Sequence, residues 1–308
     1  MVRMKFPGKL RGKHFHVNYK YRNLQYVCCL KFTVDPHLRH PVLLHTMPSG
    51  EKFVRGVTVL SDELFLIREN SPQVEVYDIS KWTLQRRIYV AGLIKPGDMT
   101  SCSKLNCIYI VDWESAWKMH RLELNGKKTH WPVNDSPHGI SVTPSDRNVL
   151  VSCYFKCKLK QFTTHGELIR EIILQDGMTY PVHAIQTCCQ FIVCHEGLSD
   201  PLHRLCVVDV NGHLTRSYGG SSGSADRQLC KPTYMSLDDK GNILVADFNN
   251  DKVLLWSPTA NYCREVVTKL ASSNRLYPTR MCLHEKTGRL YVAHASDKTV
   301  LVYQLRNV

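Results

Sequence analysis

The chain has 308 residues, 43% hydrophobic and 22% charged, with 13 cysteines and a formal net charge of +13. That apolar content is ample for a core, and no segment approaches the ~18 apolar residues of a membrane-spanning helix, so membrane insertion is excluded from the expected functions. The charge is uneven, with +8 in residues 1–40 and +5 in residues 41–308.

Residues 1–40 read as a basic N-terminal extension. A charge run of this kind is a solvated tail or an electrostatic arm for RNA or an acidic surface. Its apolar stretch Tyr26–Val34 could instead add an outer strand, and its first residues lack the apolar run of a secretory signal. Cysteines at buried strand or turn positions (Cys107, Cys153, Cys188, Cys189 and Cys206) and an odd total predict free thiols in a reducing compartment, hence a cytoplasmic protein.

From residue 41 the sequence is periodic. Apolar cores start at Leu64, Ile108, Val149, Phe191, Ile243 and Leu290. Each is nearly continuous, as in Ile108-Tyr109-Ile110-Val111, whereas a strand exposed on one face would alternate. Asn125-Gly126 and Asn211-Gly212 predict two-residue hairpin loops, and Asp239-Lys240-Gly241-Asn242 predicts a turn into a strand. Each repeat is therefore one antiparallel meander. A period of about 40–50 residues with both faces buried predicts an all-β, six-bladed β-propeller of four-stranded antiparallel blades over residues 41–308. The last repeat ends at Thr299–Leu305 with three strands only, so Val42–Thr46 is expected to supply the fourth and close the ring.

The most regular copy is Pro232–Trp256. With Gly219–Pro232, Leu237–Asp247 and Asn249–Val253, it resembles the NHL repeat, over about residues 50–308, strongly in the fifth copy and moderately in the sixth. WD and kelch patterns fit less well, since no Trp-Asp dipeptide closes a repeat and Gly219-Gly220 is the only paired glycine. The chain is similar to the C-terminal propeller of tripartite-motif NHL proteins. That resemblance implies a substrate-binding adaptor in a ubiquitin pathway or a platform for single-stranded RNA. Related propellers also include a zinc-dependent amidating lyase and lactone or glycoside hydrolases. No RING or B-box spacing accompanies the repeats, because Cys28-Cys29 are adjacent and Cys153-x₃-Cys157 stands alone. Ubiquitin ligase activity is therefore not expected of this chain.

Aligning the repeats brings Arg55, Asp98, His138, His183, Tyr234 and Arg280 to the opening of the innermost strands. Arg68, Asp112, Cys153, His195, Asp247 and His294 fall where the family motif has Asp. Asp112 and Asp247 have a bland reading, the capping of backbone donors in their own loops. The loops of this face add Trp113, Trp117, Tyr154, Phe155 and Phe248, and together with the strand-opening residues carry nine basic and nine acidic residues. Nucleic-acid affinity draws on an excess of positive charge, so the balance favours a protein or peptide partner, with single-stranded RNA as the alternative through base stacking. His138, His183, His195 and His294 could in principle supply zinc ligands for a metal-dependent lyase or hydrolase. They are scattered over four blades without a compact ligand motif, so the reading is a monomeric, non-enzymatic recognition module with no cofactor and no metal.

Overall fold

A computed structural model describes residues 41–114, 117–187, 190–196, 202–225, 228–268, 275 and 277–305. The expectations for residues 1–40 and for Cys188 and Cys189 lie outside the described residues. The strands are β1 (Val42–Thr46), then β2 (Val54–Leu60), β3 (Glu63–Arg68), β4 (Gln73–Asp78) and β5 (Leu84–Tyr89) in the first blade. The second blade holds β6 (Pro96–Cys102), β7 (Cys107–Asp112), β8 (Lys118–Glu123) and β9 (Lys128–Pro132). The third holds β10 (Pro137–Val142), β11 (Val149–Cys153), β12 (Lys158–Phe162) and β13 (Leu168–Ile173). The fourth holds β14 (Pro181–Gln186), β15 (Phe191–Glu196), β16 (Leu202–Val208) and β17 (Leu214–Ser221). The fifth holds β18 (Pro232–Leu237), β19 (Ile243–Asp247), β20 (Lys252–Trp256) and β21 (Tyr262–Val267). The sixth contains β22 (Pro278–His284), β23 (Arg289–His294) and β24 (Thr299–Gln304).

Six separate four-stranded antiparallel sheets result, and the innermost strands β2, β6, β10, β14, β18 and β22 each pack against the next, with β22 returning to β2. This is a closed six-bladed β-propeller. The predicted closure is present, since β1 pairs antiparallel with β24 and completes the order β1-β24-β23-β22. Past β1, the Met47 amide donates to Val300 O at 2.9 Å and Met47 is buried among Leu64, Tyr291 and Val302. Strand β7 is buried at every position, as are β11 and β19. These second strands lie between neighbouring strands and between neighbouring blades, so neither face meets water.

The hairpin loops differ in detail from expectation. At Asn125-Gly126 the Glu123 amide donates to Lys127 O and the Gly126 amide to Glu123 O, both at 2.9 Å, and only Gly126 has positive φ (94°). The Asn125 side chain instead accepts from the Lys127 amide at 2.9 Å. Asn211-Gly212 is built alike, with Gly212 at φ 88° and the Asp209 carboxylate taking the Asn211 and His213 amides. Carboxylate and amide side chains satisfy the turn's donors locally, so one left-handed residue suffices where a two-residue type I′ loop requires two.

Candidate functional site

Each innermost strand carries a register shift at its first residues. In the second blade Pro96 pairs with Asp112, and the next pair is Asp98 with Val111, leaving Gly97 as an extra residue. The same shift follows Val54, Pro137, Pro181, Pro232 and Pro278. Such a bulge sends consecutive side chains in different directions. Residues one place after the opening are Arg55, Gly97, His138, Val182, Thr233 and Thr279; those two places after are Gly56, Asp98, Gly139, His183, Tyr234 and Arg280. The single ring expected from the alignment is thus two tiers, with Arg55 and His138 one step out of phase with the other four.

The inner tier plugs the channel. Asp98 is fully buried, and His183, Tyr234 and Arg280 are nearly so. The Arg280 guanidinium donates from Nε to Asp98 Oδ1 at 3.1 Å and from Nη2 to Gly97 O at 2.9 Å, joining the sixth blade to the second. Asp98 also accepts from the Met99 amide at 2.8 Å and the Ile140 amide at 3.0 Å, so one carboxylate ties three blades. The His183 and Tyr234 rings lie 4.0 Å apart, with the Arg280 guanidinium carbon 5.4 Å from the Tyr234 ring centre. Gly56 and Gly139 make room for this arrangement. A Cβ on Gly56 would stand 2.5 Å from Met99 Cβ, and one on Gly139 would stand 2.5 Å from Val182 O.

Burial raises the Asp98 carboxyl to about 6, the opposing pull of Arg280 and the two amides notwithstanding. Desolvation, aided by the Arg280 charge, pushes the His183 imidazole down to about 3 and lowers His138 in the same way. Both rings are therefore neutral. His138 Nδ1 stands 3.0 Å from Val182 O and His183 Nε2 stands 3.3 Å from Ile140 O. A carbonyl only accepts, so the tautomers carry their protons on those nitrogens.

The outer tier and the loops hold the exposed groups. Trp113 lies over Gly97, where a Cβ would come 1.8 Å from the indole nitrogen. His138 is sandwiched between Trp113 and Tyr154, with ring centres at 4.9 and 5.0 Å, and Tyr154 continues to Tyr180 and Phe155. Phe155 is 68% and Trp117 40% exposed. Together with Lys95, Ser136 and Pro137 these rings line a trench of about 390 Å³. His138 also lines an adjoining depression of about 280 Å³ at the channel mouth, with Arg55, Lys231, Arg280, Phe53 and Phe248.

The motif-Asp positions all pair with the strand-opening residue, as Pro232 with Asp247 and Pro278 with His294. They hold loops. Asp112 accepts from the Ile94, Lys95 and Glu114 amides at 2.9–3.0 Å; Asp247 accepts from the Cys230 amide at 2.7 Å and from Asn250 at 2.8 Å. His294 Nδ1 accepts from the Asp297 amide at 3.3 Å, and buried His195 stands 3.4 Å from the Thr179 hydroxyl. The four ring histidines thus engage separate carbonyls, amides and hydroxyls. Among the described residues the one trio with ligand atoms within 4.8 Å of each other is Asp238, Asp239 and Glu285, on hairpin turns elsewhere. Every described cysteine is a free thiol. Sequence reasoning missed the cationic mouth residue Lys231, which precedes the Pro232 opening, and Phe53, which precedes the aligned first strand. The signal available was their place beside aligned residues.

No protein-family profile and no curated protein matches the chain. Solved structures do. A structural genomics protein of unknown function from Bacteroides thetaiotaomicron superposes with a TM-score of 0.66 at 14% identity, over 86% of this chain and 72% of that one. A streptogramin B lyase gives 0.63 at 12% identity, over 87% and 99%, and Kuenenia stuttgartiensis hydrazine synthase gives 0.60 at 12% identity, over 85% and 98%. At such identities the likeness is one of fold alone.

Proposed function

We propose that the chain is a non-enzymatic recognition module of the NHL type, cytoplasmic and cofactor-free, that binds a protein or peptide partner on the face carrying the trench and the channel mouth. An adaptor role in a ubiquitin pathway is compatible with this reading. The observation that carries it is the trench itself: Trp117 and Phe155 stand exposed beside rings already locked by mutual stacking, a rigid apolar surface of the kind that anchors protein interfaces. Single-stranded RNA is less favoured because His138 and Tyr154 are packed ring against ring, with their faces covered. Unpaired bases need open faces on which to stack.

The test is a pull-down from lysate, with and without ribonuclease, using wild type and a Trp117→Ala/Phe155→Ala double variant. Expected is a ribonuclease-resistant protein partner that the variant loses, while its stability stays within about 0.5 kcal/mol, as for exposed positions. Capture abolished by ribonuclease would replace the reading with RNA binding. Capture unaffected by the double substitution would remove this face from consideration.

A further inference from the structure

The channel mouth differs chemically from the trench it joins. Among the described residues its wall holds three cations, Arg55, Lys231 and Arg280, and no carboxylate. Two counter-ions lie outside that wall: Glu69 pairs with Arg55, and Asp98 is buried beneath Arg280. They fix the direction of the guanidiniums without occupying the depression. Arg280 spends Nε on Asp98, one Nη2 proton on Gly97 O and one Nη1 proton on Thr279 O. Five donors less three leaves two for a visitor. Aromatic groups stand on both sides, with the Trp113–Tyr154 trench reached through His138, and Phe53 and Phe248 on the opposite rim. Lysine ammoniums already lie over those last two rings, Lys298 over Phe53 and Lys231 over Phe248.

We propose that the mouth receives the carboxylate of an internal Asp or Glu of a peptide whose flanking apolar residues seat in the trench on one side and against Phe53 and Phe248 on the other. This rests on the recognition reading above and supplies its chemistry. A cationic hollow of about 280 Å³ floored by a buried ion pair suits one side-chain carboxylate, which forked guanidinium donors bind with directional hydrogen bonds. Apolar surface on both rims argues for a chain that passes across the mouth rather than one that ends in it.

The probe is an array of acetylated, C-terminally amidated heptapeptides with Trp, Phe or Leu on each side of a randomised centre, read against wild type, Arg55→Gln, Lys231→Gln and Trp117→Ala. A parallel set keeps the peptides' free C-terminal carboxylate and has Gln at the centre. Expected is at least tenfold stronger binding of central Glu or Asp over Gln or Asn. That preference should fall in Arg55→Gln and Lys231→Gln, and weaken with added salt. Trp117→Ala should lower all affinities while leaving the acid preference unchanged. Trp117-dependent binding without an acid preference overturns this proposal but leaves the recognition face standing. Binding governed by the free C-terminus overturns the internal-acid assignment. No binding that depends on Trp117, Arg55 or Lys231 overturns both readings. Melting curves of each variant matching wild type confirm that losses are local.

Discussion

The buried Asp98–Arg280 pair decides how the centre of the ring responds to change. Tyr234 and Arg280, aligned at the opening of the innermost strands, are buried in the channel. Removing one partner of a buried pair leaves an uncompensated charge, so Arg280→Met should cost about 3–5 kcal/mol in urea denaturation. Arg280→Met with Asp98→Leu should recover much of that loss, because no charge is then stranded. Titration has a defined sign here. His183 is held down to about 3 in the fold, so the unfolded chain takes a proton that the folded chain refuses. Its contribution is present above the ordinary imidazole value and is lost as pH falls toward 3. Asp98, raised to about 6, acts oppositely: its contribution is present below the ordinary carboxyl value and lost as pH rises through 6. His183→Gln removes the first effect. Its loss of stability between pH 7 and pH 5 should be smaller than that of wild type by about 2 kcal/mol, at ~1.4 kcal/mol per pH unit for one proton. Equal pH dependence in the two proteins would mean that His183 is not held neutral.

Strand β1 is an element whose importance its own composition conceals. Val42, Leu43 and Leu44 are exposed, and among the described residues the strand pairs on one edge only, yet it is the fourth strand of the last blade. Its end inserts Met47 into the core, and the Met47 carbonyl takes a hydrogen bond from buried Thr299. Deleting residues 1–47 should lower stability by at least about 3 kcal/mol more than deleting residues 1–40, the scale of losing one buried methionine together with its strand. Comparable melting of the two truncations would show that the ring holds without this latch. The bulges are the other device at this scale. By turning two successive residues in different directions, they set Asp98 and Arg280, which tie blades, in one tier and Arg55 and His138, which line the mouth, in the other.

Across the whole molecule, links between blades run through the centre as well as between neighbours. Arg280 and Asp98 are 182 positions apart in sequence, and Met47 meets Val300 across most of the described chain. A toroid tied at its hub and at its seam should unfold as a unit. Tryptophan fluorescence and far-ultraviolet circular dichroism should therefore give coincident urea transitions in wild type. Separate transitions would indicate blades that open independently.

The amino-acid sequence by itself determined the number of blades, the place of the buried second strand in each and the closing role of Val42–Thr46, because buried strands must be continuously apolar and turns must carry their own chemistry. It also identified Asp112 and Asp247 as loop-holding residues, a task done by neighbours in sequence. Which aligned residues stand at the channel mouth and which fill its interior was decided only by the tertiary structure. Bulges shift the phase by one residue at Arg55 and His138, and Gly56 and Gly139 vacate the space that Asp98, His183, Tyr234 and Arg280 fill. The charge on the mouth was equally out of reach, since Glu69 and Asp98 count as acids in any tally of the loop face but stand behind the cations rather than beside them. Side-chain direction and burial are properties of packing between strands far apart in the chain, and no local pattern encodes them.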